Sequence, residues 1–276
     1  SMQDVIGATW GRPIKRLHES YGSFLPWAVG FFIVFFVCIK LSLLGANNVY
    51  SWIADPDLLH DFPGKNVWLT TDFMIARDIF CLLCILFLGM WHLKQTTARD
   101  MALLHGDKAE AHRLAIVSKE KLRYWSAPVM IIYALCFTCL CFDLTMSLAP
   151  TWLSTLWGGW FFAIMMHTLM AFTLILMFAF KDTPVGSFFH RQQFHDVGKL
   201  MHGFTVFFAY LTYAHILTYW YTNIPEETSY FITRLQAPWI YFVYASPVLS
   251  FVLPFFLLIP KVSKWTGGLT LPICCV

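Results

Sequence analysis

The sequence predicts an all-α fold, a polytopic transmembrane bundle of about six helices. Three observations predict it. Hydrophobic residues make up 58% of the 276 and charged residues only 13%, where an ordinary soluble domain is about 25% charged. Apolar runs long enough to cross a bilayer recur along the chain, separated by polar stretches. The basic residues then sort by loop. With the N-terminus in the cytoplasm, fifteen of the 19 lysines and arginines fall inside, two fall outside (Lys65 and Arg234) and two fall within spans (Lys40 and Arg77). That is the positive-inside pattern, and it places both termini in the cytoplasm. The net charge of +3 follows from this sorting and requires no nucleic-acid partner.

Residues 1–276 read as one transmembrane domain. Residues 1–23, with Arg12, Lys15 and Arg16, are expected on the inner surface. The Ser-Met-Gln-Asp start has no basic segment leading into an apolar one, so no cleavable signal is expected. The first span covers 24–45, with Lys40 in its last turns, where a lysine can snorkel. A polar connection, 46–70, carries Asp55, Asp57 and Asp61. Span two, 71–93, holds Arg77 and Asp78 near its start and His92 at its far end. Residues 94–123 form the one long hydrophilic insert; its irregular mixture of apolar and basic residues suits an amphipathic helix or hairpin at the cytoplasmic surface. Span three is 124–147, with Asp143 near its end. Span four is 156–180, with His167 central.

Span five lies within the stretch Phe194–Tyr230. It has no charge between Leu200 and Tyr221, yet it contains His202 and His215. It closes on Tyr219, Trp220 and Tyr221, an aromatic cluster suited to the lipid–water boundary. Asn223 and Pro225 end that helix, and an outer loop with Glu226 and Glu227 follows. Span six runs from Pro238 to Pro260.

This topology gathers Lys40, Arg77, Asp78, Asp143 and His215 in the outer part of their spans, with His167, His202 and His92 trailing inward. Charges at membrane depth are expensive and mark ion or proton pathways. Asp143 is the sharpest candidate: a proton acceptor, or a structural partner of Arg77 or Lys40. Arg77 and Asp78 point about 100° apart on a helix, so one can hold Asp143 while the other faces the interface. His215, with Tyr210, Tyr213 and Tyr219 nearby in sequence, can take a proton from a phenolic substrate or form a helix–helix hydrogen bond. His167 and His202 read the same two ways. Glu226 and Glu227 can line a proton exit or contact an outer partner.

Bound metal and haem are not expected. Six of the eight cysteines fall in apolar spans, where thiols act as small hydrophobes; Cys81-x-x-Cys84 and Cys136-x-x-Cys139-x-Cys141 have ligand-like spacing but no polar loop around them. The terminal Ile-Cys-Cys-Val is not a prenylation box. His202 and His215 are thirteen residues apart and face different sides of their helix, which argues against two stacked haems. A single haem between His167 and another histidine is the alternative.

Several segments carry a resemblance. H-D-V-G-K-L, F-T-V-F-F-A-Y and Y-W-Y-T-N-I-P-E-E-T resemble the ActF-type membrane subunit of alternative complex III, a bacterial quinol:cytochrome c oxidoreductase, within the NrfD/polysulfide-reductase membrane family. W-G-R-P-I-K-R, R-Y-W-S-A-P and Phe142-Asp143 running into S-L-A-P-T-W-L-S-T-L-W-G agree with it. The resemblance implies a multi-pass subunit of the bacterial inner membrane. Its implied partners are a second NrfD-like subunit, a periplasmic iron–sulfur/molybdopterin-type subunit and haem c subunits. Quinol chemistry near the periplasmic side and a part in proton translocation are implied too, with quinol or quinone as the one small molecule handled and no covalently bound cofactor. Family members have more spans, so six suggest a shortened or partial form. Ala149 and Thr151 stand where an acid and a histidine are expected, and His215 where a glutamine is usual. The reading is a subunit that contributes to a quinol site or a periplasm-facing proton path and does not catalyse turnover alone. A structural anchor without chemistry and a b-haem cytochrome are the alternatives.

Overall fold

The computed structural model describes residues 11–59, 63–106 and 108–264, without the side chains at 12, 13, 44, 46, 47, 63, 99 and 226. Asp61, Cys274, Cys275 and the side chain of Glu226 therefore lie outside the described residues. Within them the chain is helical and has no strand. Six helical stretches are long and apolar enough to cross a membrane: Ile14–Lys40, Thr71–Leu104, Lys108–Leu148, Trp157–Ala179, Arg191–Thr222 and Trp239–Leu258. The chain divides into two compact units, Ser1–Thr145 and Met146–Val276.

The first unit begins with α1 (Arg12–Tyr21) and α2 (Leu25–Lys40). Two short helices, α3 (Ser51–Ala54) and α4 (Pro63–Trp68), fill the outer connection. The long helices α5 (Thr71–Leu104) and α6 (Lys108–Leu144) follow. At 1.5 Å per residue α5 is about 51 Å long, well beyond a hydrocarbon core of about 30 Å. The hydrophilic insert is thus formed by continuations of α5 and α6, the hairpin of the two expected forms, with a turn after Leu104. Gly106, at φ +80°, sits in that turn, in a conformation that suits a residue without a Cβ. The connection between α2 and α5 contributes too: Tyr50, Trp52, Leu59 and Leu69 join Phe36, Ile39, Met74, Cys81, Cys136 and Leu140 in one buried cluster.

Two glycines set the approach of α5 to the N-terminal helices. A Cβ on Gly89 would meet Leu25 Cδ2 at 2.7 Å, and one on Gly22 would meet Leu93 Cδ1 at 2.8 Å. Each leucine tip fills the space that the opposite glycine leaves, so α2 and α5 pack closer than larger residues allow.

The second unit holds α7 (Trp157–Ala179), α8 (Arg191–Thr222), α9 (Pro225–Arg234), α10 (Trp239–Pro247) and α11 (Leu253–Leu258). The α8 positions Met201, Thr205, Leu211, His215 and Tyr219 are buried, and the helix packs along α7. Asn223, at φ +48°, ends α8 in the left-handed conformation, a common helix stop. The Glu226–Glu227 segment departs from the expected loop: Pro225 starts a short helix, where its missing N–H costs nothing. Between α10 and α11 the chain switches to a π turn, Val248–Val252. Pro247 and Pro254 bracket this switch, and each removes a donor that a regular helix would use.

Candidate functional site

Each unit carries its own polar cluster. In the first, Asp143 sits near the C-terminal end of α6 and Arg77 near the start of α5, with no exposure at all for the Asp143 side chain. The Arg77 guanidinium donates through Nε and Nη2 to Asp143 Oδ2, both at 2.7 Å. Trp68 Nε1 donates to Oδ1 at 2.8 Å, and the Cys139 thiol, one helical turn away, points at Oδ2 from 3.7 Å. Arg77 is fixed from its other side too: its guanidinium carbon lies 3.8 Å from the centre of the Trp68 ring and 4.7 Å from that of Phe73. It also donates to the Trp68 carbonyl at 3.3–3.4 Å. The sequence expectation that Arg77 holds Asp143 is met. The other expected partner, Lys40, is paired instead with Asp72 in an exposed ion pair.

Asp78 does not face the interface. It is fully buried, and neither of its carboxylate oxygens has a hydrogen-bond partner. The Asp143 side chain stands close enough to interact with it. Two ionised carboxylates offer each other only acceptors. A bond between Asp78 and Asp143 therefore exists only when one of them holds a proton. Charge balance points the same way. With both acids ionised the group of Asp78, Asp143 and Arg77 carries one net negative charge; with one proton it is neutral; with two it is positive. In an apolar setting the neutral state is the least costly. The arrangement has room for one proton between two carboxyls.

Tyr50 closes this cluster from the outer connection. Its hydroxyl donates to the Leu144 carbonyl at 3.3 Å. Burial, reinforced by the charges of Asp78 and Asp143, pushes its phenol above the ordinary tyrosine range. It stays a neutral donor at physiological pH.

The second unit centres on His215, which is buried. Its Nδ1 lies 2.8 Å from the Leu211 carbonyl and its Nε2 lies 2.7 Å from Ser154 Oγ. A carbonyl only accepts, so Nδ1 carries the hydrogen; in the neutral ring Nε2 then accepts from the Ser154 hydroxyl. Aromatic rings enclose the pair. Trp152 stacks on Tyr230 with centroids 4.1 Å apart, and the Arg234 guanidinium covers the other face of that stack, 3.4 Å from the Tyr230 centroid. Tyr219 donates to the Leu153 carbonyl at 2.7 Å, whereas Tyr210 and Tyr213 are exposed. Of the three tyrosines expected near His215, only Tyr219 is built into its surroundings.

The remaining candidates lie along α8 and beyond. Thr205 donates to the Met201 carbonyl at 2.9 Å, so its oxygen is free to accept from His167 Nδ1 at 3.0 Å. His202 stacks on Phe255, 5.1 Å between centroids, and its Nδ1 is buried without a hydrogen-bond partner among the described residues. Glu227 is half-buried in α9. Among the described residues no three or more of His, Cys, Asp and Glu are placed to hold a metal ion, and the six described cysteines are free thiols.

Sequence reasoning missed Trp68, Ser154 and Thr205 as partners of the three principal candidates. Uncharged polar residues and tryptophans are common near span ends, and nothing in their spacing marks them. No family model matches the chain, and no curated protein matches it significantly.

Proposed function

We propose that the chain is an integral membrane subunit of a quinol-oxidising respiratory complex of the bacterial inner membrane, in which Asp78 and Asp143 beside Arg77 handle the protons of quinol oxidation or line a proton path. The observation that carries the reading is the unpaired, fully buried Asp78 carboxyl next to an Asp143 that is already held by Arg77. A purely structural ion pair has no use for a second acid at that depth, and an intramembrane acid of this kind is a proton-relay candidate. Quinol oxidation releases two electrons and two protons. On this reading the electrons leave to redox groups on the iron–sulfur/molybdopterin-type and haem c partners, and the protons pass through the carboxyl pair. Arg77 keeps the pair close to neutral through the transfer, and Trp68 fixes Asp143 so that the mobile proton resides on Asp78.

One observation favours the structural-anchor reading: Asp143 itself has both oxygens occupied by donors. The two readings separate in membranes carrying Asp143→Asn, with complex assembly checked on a native gel. Loss of quinol:acceptor turnover or proton release in an assembled complex supports proton handling. Unchanged activity identifies Asp143 as a packing device.

A further inference from the structure

At the inner end of the second unit, the start of α8 and the segment after α11 meet in a cluster of cations that the proposed function does not use. Lys264 closes the short turn Val262–Lys264 and is only 6% exposed, unusual for a lysine at a helix end. Its stem crosses α8 at Gly198: a Cβ there would lie 3.0 Å from Lys264 Cγ and 3.1 Å from Cδ. The glycine of the H-D-V-G-K-L motif is thus the groove in which this side chain lies.

Around it stand Lys199 and Lys261, together with His195 and His202, all close enough to interact with one another or with Lys264. Among the described residues one acid interacts with them. Asp196 lies 3.7 Å from Lys199 and accepts from Gln192 at 3.0 Å, so it is already engaged. Lys264 has no side-chain hydrogen bond or ion pair with another described residue. The twelve residues that follow it in the sequence contain no aspartate or glutamate. Three lysines against one acid leave about two unbalanced positive charges, and an anion beside the buried Lys264 would offset the cost of burying its ammonium.

We propose that this cluster binds the phosphodiester headgroup of an anionic phospholipid, with Lys264 as the buried anchor and Lys199 and Lys261 at the rim. The location selects the ligand. The sorting of basic residues puts this end of both helices on the cytoplasmic side, where the leaflet supplies anionic headgroups and basic pockets between helices collect them. The acyl chains would extend along the exposed apolar surface of α10 and α11, including Leu253, Phe256 and Ile259. Burial, with Lys199 beside it, holds the Lys264 ammonium below the ordinary lysine value, the mark of a cation that lacks its counter-charge. This inference is independent of the quinol reading.

The test uses the full chain purified in mild detergent. Wild type, Lys264→Met and Lys199→Gln are compared for co-purified phospholipid by mass spectrometry, and for thermal stability on adding phosphatidylglycerol, phosphatidylcholine or inorganic phosphate. Lys199 is exposed, so its variant keeps the test meaningful should Lys264→Met fold poorly. Wild type is expected to retain phosphatidylglycerol selectively and to gain about 2–4 °C from it. Retention should fall about fivefold, or about 1 kcal/mol, for each lysine removed, the scale of one basic residue at an anionic surface. Equal responses to the two lipids, or unchanged retention in both variants, would overturn the proposal. A phosphate response matching that of phosphatidylglycerol would overturn the lipid assignment in favour of a free anion site.

Discussion

Removing Arg77 should cost far more than removing Arg77 and Asp143 together. In Arg77→Met, Asp143 loses the two 2.7 Å donors on Oδ2 and keeps Trp68 on Oδ1 and the Cys139 thiol at 3.7 Å. Its carboxylate has no exposure to water, and Asp78 stands next to it. An uncompensated buried charge of this kind costs about 3–5 kcal/mol. In Asp143→Leu the stranded group is Arg77, 11% exposed. Its stacking on Trp68 and Phe73 and its bonds to the Trp68 carbonyl remain, so a smaller loss of about 1–3 kcal/mol follows. The double variant replaces the pair by apolar side chains, and such exchanges are often neutral. The singles should therefore overshoot the double, with a coupling energy of about 2 kcal/mol or more. The assay is reversible unfolding of the purified chain in mixed detergent micelles, followed by helix content, for the four members of the cycle. Coupling below about 0.5 kcal/mol, the level expected of independent sites, would refute the pairing and the charge-balance argument built on it.

Three further outcomes follow from the packing. Ser154→Ala removes the hydroxyl that bonds His215 Nε2 and leaves a buried acceptor unsatisfied; it should destabilise the chain by about 1–3 kcal/mol, measured by the same unfolding assay, and Ser154→Thr should recover part of that loss. Gly89→Ala brings a Cβ to within 2.7 Å of Leu25 Cδ2, the tip of a flexible side chain, so the clash should largely offset the helix-propensity gain of about 1 kcal/mol, and adding Leu25→Ala should reveal that gain. Lys264 supplies a pH dependence. Its folded value lies below the unfolded one, so the unfolded chain binds more protons and stability rises with pH between the two. The stability advantage of Lys264→Met over wild type, measured without anionic lipid, should shrink as the pH approaches about 10.5, the ordinary lysine range.

Hydropathy made the spans legible because the bilayer imposes one length on every crossing, and the rarity of charges inside them made Arg77, Asp78 and Asp143 stand out. The pairing of Arg77 with Asp143 was also readable, since two opposite charges at the same depth have few other partners. Which of the neighbours Arg77 and Asp78 turns toward the partner helix was not, because rotation of α5 is set by contacts such as Gly89 on Leu25 rather than by composition. The roles of Ser154 and Thr205 were hidden for another reason: a hydroxyl is an ordinary residue until a histidine is known to face it. The hydrophilic insert was legible as helix or hairpin but not as a continuation of the spans, since a hydropathy profile drops when a helix leaves the bilayer whether or not the helix ends. Glu227 misled: a proline with two acids reads as loop, but proline is also a good first residue of a helix.

Asp78→Asn removes the carboxyl proposed to carry protons beside Asp143 and leaves the Arg77–Asp143 pair intact. Quinol:acceptor turnover and proton release are measured in membranes carrying that variant, with assembly confirmed on a native gel. Normal assembly is expected, with turnover or proton release reduced at least about tenfold, roughly 1.4 kcal/mol of barrier. Wild-type turnover and proton release in the assembled Asp78→Asn complex would contradict it.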